Sequence, residues 1–379
     1  MLPETFDKKL DIAFLDFDDI NNSLLSAGQA HATLGVARHL VRFGHKVTVI
    51  CSRFPGSADG YNEGIYYKHI GLGSGNIKLN NAMFFFALPF AVRKLRADVI
   101  VECFTAPIST CFSPLFTKIP VIGMPTMFEA EEFSKKYHLP FHWIERFGSR
   151  LYKYFLAYSP LNKAKMERLN PKIFSRIIPN GVDEDFFEFP ASESDYAVFI
   201  GRIDIVQKGL DLLLDAVELA GDNLKTQIVI IGNGPKEEER KLTQLIQVKK
   251  LEAKVKFLGR ADGRRKMQLL ANAVFGIYPS RFEDFPLVPL ELAALSKPLV
   301  CFDIPGLAWV PREVSRKAIA FDTRSLAEAL IKMSSDQEFR KNCQLAARPF
   351  ARAYGWESIA HEYEKFFGEV INLEKVRST

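Results

Sequence analysis

Short apolar runs recur along this chain, most of them followed by a segment of helical periodicity, and that alternation leaves few folds open. Leu10–Asp16 reads as a strand, His31–Arg42 as an amphipathic helix after a polar loop over 18–28, and Lys46–Cys51 as the next strand. Such a β-α-β unit builds a parallel sheet, and parallel sheets bind ligands at the carboxyl ends of their strands. Apolar runs at Ala97–Val101, Ile119–Met124, Tyr154–Ser159 and Arg176–Pro179 continue the series. Glu184–Tyr196 is acidic and aperiodic, and a second series follows it. Its strands are expected at Tyr196–Gly201, Gln227–Gly232, Lys254–Gly259, Val274–Tyr278, Lys297–Phe302 and Ala318–Phe321, with helices at Leu210–Leu219, Lys236–Val248 and Arg264–Ala273. The expectation is an α/β protein of two doubly wound, Rossmann-like domains facing a central cleft. The domains are expected at 1–183 and 184–356, with a C-terminal helix over 357–379 packing back on the first.

With 379 residues the chain has ample length for two such cores. The net charge of +5 comes from dispersed basic residues, so it suits phosphate groups or an anionic surface without implying nucleic-acid binding. The cysteines Cys51, Cys103, Cys111, Cys301 and Cys343 are odd in number and scattered, which fits reduced core thiols in a cytoplasmic protein. No secretory signal opens the sequence, and no apolar stretch reaches the roughly 20 residues that span a bilayer.

The chemistry is expected around Tyr278–Ala294. The strand before it stops at Pro279, and Pro286 with Pro289 bars a continuous helix, so Glu283 falls in a loop. Pro289 suits a first helical turn, which puts Glu291 near a helix amino end. Backbone N–H groups at such a turn attract anions, and the two carboxylates accept from sugar hydroxyls. A ligand with both phosphate and sugar fits. Gly201–Gly209 follows a strand with Arg202 and Lys208 as phosphate partners, and Gly232-Asn-Gly-Pro235 is a second glycine-rich strand exit.

Taken together, Ile178–Asp183, Gly201-Arg202 with Lys208-Gly209, Gly232–Pro235, Phe257–Gly259 and the Glu283/Glu291 pair resemble the retaining glycosyltransferases of group 1, or family 4, which have the GT-B fold. The resemblance spans roughly 178–310 and is looser in the first half, where it rests on Ser26-Ala27-Gly28. It implies that Arg202 and Lys208 hold the donor diphosphate as catalytic groups and that Glu291 takes the ribose hydroxyls. Glu283, also catalytic, takes the hydroxyls of the transferred sugar, beside Asp284, Phe285, Pro286 and Leu287. Gly28, Gly201 and Gly234 join the donor site, and Arg260 lies beside the base. Family members commonly carry a sugar-contacting histidine where Pro125–Glu129 stands here, so Thr126 and Glu129 are candidates for its place.

The resemblance implies a UDP-sugar donor, UDP-glucose first, and a saccharide or lipid-linked acceptor in cell-surface or exopolysaccharide synthesis. No cofactor is implied. Asp16-Phe17-Asp18 spells a D-x-D metal pattern, but two cations already supply the charge a metal would, so no metal is expected and Asp18 falls to the acceptor side. EDTA is expected to leave activity intact. The aromatic and basic segments Ala82–Arg96 and Phe141–Lys153 admit two readings, peripheral contact with the inner face of the membrane or ordinary helices burying their aromatics. Rival functions are a nucleotide-sugar epimerase, which needs no acceptor, and a non-catalytic nucleotide-sugar- or partner-binding protein.

Overall fold

The computed structural model describes residues 8–22, 24, 28–105, 112–127, 130–190, 192 and 194–378. The chain divides into two compact units, one of residues 1–181 with 356–379 and one of residues 182–355.

In the first unit the elements run β1 (Asp11–Leu15), α1 (Gly28–Arg42), β2 (Lys46–Ser52), β3 (Gly60–Asn62), β4 (Ile65–Ile70), α2 (Ile77–Lys94), β5 (Val99–Thr105), β6 (Val121–Met127), α3 (Ala130–Tyr137), α4 (Phe141–Gly148), β7 (Tyr154–Ala157), α5 (Pro160–Leu169) and β8 (Phe174–Ile177). The sheet order is β3-β4-β2-β1-β5-β6-β7-β8, parallel except for β3. Strands buried on both faces must be apolar, and β7 is so throughout, as is β1 after its first residue, Asp11. The β3–β4 hairpin is absent from the sequence reading. Ile65–Ile70 interleaves Lys68 and His69 with its apolar residues, so it lacks the continuous apolar run that marks its neighbours.

In the second unit come α6 (Glu184–Glu188), β9 (Tyr196–Ile200), α7 (Leu210–Ala220), β10 (Gln227–Ile231), α8 (Lys236–Val248), β11 (Val255–Phe257), α9 (Gly263–Ala271), β12 (Gly276–Tyr278), α10 (Val288–Ala294), β13 (Leu299–Phe302), β14 (Ser315–Ala318), α11 (Thr323–Ser335) and α12 (Gln337–Arg352). The sheet is all parallel, ordered β11-β10-β9-β12-β13-β14. Two expectations change here. The last strand lies at Ser315–Ala318 rather than Ala318–Phe321, because its ladder partners are Leu299–Phe302 and Phe321 takes a positive φ of 65°. The segment read as aperiodic carries α6, which buries Phe186 and Phe187.

The last helix, α13 (Trp356–Ser378), belongs to the first unit. It packs along α1, where Gly35 makes room for it: a Cβ there would sit 2.4 Å from the Trp356 ring. His45 Nε2 pairs with Glu364 Oε1 at 2.9 Å, and Tyr154 donates to Glu374 Oε1 at 2.6 Å. Cys51, Cys103, Cys301 and Cys343 are buried free thiols, while Cys111 lies outside the described residues.

Candidate functional site

In an open parallel sheet the ligand crevice lies at the carboxyl ends of the strands, where the order reverses. In the second unit that point is between β9 and β12. The exits of β9, β10 and β11 are stitched by backbone bonds: Gly201 N to Ile231 O at 3.1 Å, Ile203 N to Asn233 O at 2.9 Å, and Gly232 N to Gly259 O at 2.9 Å. The glycines serve that stitching. A Cβ on Gly232 would meet Gly201 O at 1.8 Å, and one on Gly234 would meet Ile203 O at 2.2 Å. The Gly234 N–H donates to Glu239 Oε1 at 2.9 Å, so that amide is engaged within the loop.

The loops after β9 and β12 are clamped together. Arg281 N donates to Gln207 O at 2.9 Å, and the Arg281 guanidinium makes two 2.7 Å bonds to the carboxylate of Asp211. Gly209, in the left-handed region at φ 63°, lies where a Cβ would be 2.0 Å from Pro279 O. Lys208 is thereby aimed at the β12 exit. Its Nζ bonds Glu283 Oε1 at 2.5 Å and Tyr278 OH at 3.2 Å, and the Lys208 and Glu283 side chains are only 12 % and 10 % exposed. Burial, reinforced by the Glu283 carboxylate, holds the Tyr278 hydroxyl well above its ordinary pKa, so it stays protonated.

Glu283 is fixed from behind by the β13 exit, where a Cβ on Gly306 would be 1.8 Å from Glu283 O. Asp284, Phe285 and Pro286 are buried, and Phe285 stacks on Trp309 with centroids 4.1 Å apart. Leu287 is the amino-terminal cap residue of α10, and Glu291 stands in that helix's first turn. Lys266 on α9 pairs with Glu291 Oε1 at 2.7 Å. Glu291 Oε2 is buried and has no hydrogen-bond partner among the described residues. A buried carboxylate oxygen without a donor is costly, so a ligand hydroxyl there would satisfy it.

The expected residues therefore gather at one end of this sheet, with two qualifications. Arg202 is half-exposed and bonds Gln207 and Asp204 rather than the Lys208–Glu283 pair. Arg260 pairs with Asp262, at 2.7 Å, rather than with a group at the strand ends. Tyr278, Lys266, Arg281 and Gly306 carry parts of the site that the sequence reading did not assign. A lysine on a helix face looks solvated until Glu291 is seen opposite it.

In the first unit the order reverses between β1 and β5. Gly28 opens α1 and is exposed, Thr126 is half-buried in β6, and Glu129, Ser26 and Ala27 lie outside the described residues. Asp16 and Asp18 are buried at the β1 exit. Thr33 Oγ1 donates to Asp16 Oδ2 at 2.6 Å, the Asp18 N–H to Asp16 Oδ1 at 3.2 Å and the Asp19 N–H to Asp18 Oδ1 at 3.0 Å. Burial lifts the Asp16 carboxyl from 3.8 to about 6. The folded protein thus keeps a proton that the unfolded chain releases at lower pH, and stability falls as pH rises through this window. The expected loss is about 3 kcal/mol, at about 1.4 kcal/mol per pH unit. Urea unfolding at about pH 4 and about pH 7 measures it, and Asp16→Asn should flatten that part of the profile.

Comparison with known proteins points the same way. A family model described as "Glycosyl transferases group 1" matches residues 182–350, and one described as "Glycosyltransferase Family 4" matches residues 26–186. An uncharacterized glycosyltransferase of Methanocaldococcus jannaschii is 24 % identical over 230 residues, which are 58 % of this chain and 63 % of that protein. A phosphatidyl-myo-inositol mannosyltransferase of Mycobacterium leprae is 29 % identical over 206 residues, 51 % of this chain and 53 % of that protein. The matches thus span between about half and two thirds of these relatives. Among solved structures, a sucrose-phosphate synthase from Thermosynechococcus elongatus superposes with a TM-score of 0.79 at 18 % identity, covering 97 % of this chain and all of that one. An Anabaena protein solved with UDP and glucose gives 0.74 at 17 % identity, covering 95 % and 99 %. Both structures share the fold.

Proposed function

The chain belongs to the group 1, family 4 glycosyltransferases, a retaining family with the GT-B fold, and on that premise we propose that it moves a sugar from a nucleotide-sugar donor to an acceptor hydroxyl. The observation that carries the reading is Glu291, whose buried Oε2, unpartnered among the described residues, stands beside a helix amino end at the sheet's switch point. A ribose hydroxyl supplies the missing donor, and Lys266 holds the other oxygen in place.

Sugar transfer breaks the bond to the diphosphate while negative charge gathers on the leaving phosphate, so fixed cations stabilise the transition state. Lys208 is the principal one, with Arg202 at the rim. In the free protein the Glu283 carboxylate occupies Lys208 where a phosphate oxygen would sit. Donor binding takes Lys208 over and releases Glu283 to the sugar's hydroxyls. Arg260, the Phe285–Leu287 backbone, Gly201 and Gly28 are proposed for the donor, and Thr126, Glu129 and Asp18 are candidates for contact with the donor sugar or the acceptor.

A UDP-hexose is proposed as donor, UDP-glucose first, supported by the Anabaena structure with UDP and glucose. A saccharide or lipid-linked saccharide of the cell surface is the proposed acceptor. The M. leprae relative is named a mannosyltransferase, so GDP-mannose belongs in the same screen. Thermal shift reads it: a donor at 100 times its Kd adds about 2.7 kcal/mol. Glu291→Ala should abolish the shift while the variant stays folded. A wild-type protein that none of these sugar nucleotides stabilises defeats the assignment.

No described helix is long and apolar enough to cross a membrane. Peripheral contact at the inner face is proposed instead, because α2 is two-faced. Asn80, Phe84, Leu88 and Val92 are buried at four-residue spacing, while Phe86 and Phe90 are 66 % and 65 % exposed. On α4, Trp143 and Phe147 are exposed and stack on each other, with Arg146 over the Trp143 ring. Exposed aromatics among basic residues suit an anionic bilayer surface. The protein should float with anionic liposomes, and Phe86→Ser with Phe90→Ser should reduce flotation severalfold. Equal recovery without anionic lipid would contradict this.

A further inference from the structure

Away from the donor-side loops, the first unit gathers a thiol, an imidazole and a carboxylate. Cys51 lies near the end of β2 and His69 near the end of β4, directly opposite each other in register. Asp19 lies beyond the end of β1, the next strand over. All three are buried. His69 Nε2 is 2.9 Å from Asp19 Oδ2, Cys51 Sγ is 3.6 Å from the same oxygen, and the three donor atoms lie within 4.8 Å of one another. Asp19 and His69 also line a cavity of about 390 Å³, together with Asn21, Ser57 and Tyr67.

We propose that Asp19, Cys51 and His69 bind a zinc-class divalent ion, with the fourth coordination position open to the cavity. Zinc bonds of about 2.0–2.3 Å place neighbouring tetrahedral ligands about 3.3–3.6 Å apart. The observed spacings of 2.9 and 3.6 Å reach that with small side-chain movements. A thiolate and an imidazole favour zinc or cadmium, whereas magnesium, calcium and manganese take oxygen ligands.

The surroundings orient the ligands as metal sites require. Asp59 Oδ1 is 3.4 Å from His69 Nδ1, and the same carboxylate oxygen accepts the His69 backbone N–H at 2.8 Å. His69 Nδ1 makes no hydrogen bond among the described residues, and with a metal on Nε2 the nearby Asp59 carboxylate is the acceptor that an Nδ1 proton would turn to. Asn21 N donates to Asp19 Oδ1 at 2.7 Å and steers Oδ2 toward the site. Binding sends the Cys51 thiol proton to solvent, and the proton by which His69 Nε2 bonds Asp19 in the free protein shifts to Nδ1, on the side of Asp59, leaving Nε2 free for the metal. The site is separate from the Lys208 and Glu283 machinery and stands whether or not the donor assignment holds.

The test uses the full chain, purified reduced from zinc-supplemented growth. Elemental analysis should find close to one zinc per chain. Cadmium added to the metal-free protein should give a thiolate charge-transfer band that Cys51→Ser removes and Cys343→Ser leaves. Asp59→Asn should weaken zinc binding by about 10–100-fold. Wild-type protein that takes up neither zinc nor cadmium overturns the proposal, and so does a band that survives in a folded Cys51→Ser variant. If Cys51→Ser fails to fold, wild-type stoichiometry and the Asp59→Asn affinity decide: substoichiometric zinc or unchanged affinity overturns it.

Discussion

Lys208→Ala is expected to lower kcat/KM by about 10²–10³-fold, the cost of removing one fixed donor to developing charge in a dry site. The structure adds a second effect. Lys208 is the hydrogen-bonded cation of a Glu283 carboxylate that is 10 % exposed, and stranding a buried charge costs up to about 3–5 kcal/mol unless the group takes up a proton. Stability and activity should therefore fall together in the single variant. They separate in Lys208→Ala/Glu283→Gln, where the stranded charge is gone: denaturant unfolding should recover most of the stability, and activity should stay low. A single variant that turns over normally removes Lys208 from the diphosphate, whatever its stability.

Gly209→Ala is expected to destabilise the second unit by about 2–4 kcal/mol through two additive causes. The position holds φ 63°, where a Cβ is strained, and that Cβ would lie 2.0 Å from the Pro279 carbonyl oxygen. Relief requires the β9 and β12 exits to part, which breaks the Arg281–Gln207 backbone bond and swings Lys208 away from Tyr278 and Glu283. Urea unfolding measures the first effect and donor thermal shift the second. Gly221→Ala, at φ 51° and ψ −135° with open space around its Cβ, should cost the backbone strain without a clash, about 1–3 kcal/mol.

The pieces of this site differ in how readable they are. Glu283 and Glu291 are legible because prolines on either side forbid one continuous helix and fix where the loop ends and the helix begins. The Lys208-Gly209 pair is legible as a motif, but its reason is not: the glycine exists for Pro279, seventy residues on. Contacts formed by folding, such as Lys266 on Glu291 or Gly306 behind Glu283, leave no local trace, since a helix-face lysine and a loop glycine occur everywhere. The β3–β4 hairpin escaped for a related reason: His69 and Lys68 break the apolar run that marks the other strands. Those polar interruptions put His69 beside Cys51.

The return of α13 to the first unit has a consequence for biosynthesis. A ribosome releases residues 1–181 with the second unit still to be made, and the sheet then waits for a partner encoded beyond that unit. Until Trp356 seats against Gly35 and Glu364 reaches His45, α1 and the edge around His45 stay wet. The first unit thus finishes folding after the second has been made, and a fragment cut at residue 181 should collect in aggregates unless a peptide spanning 356–378 is supplied with it.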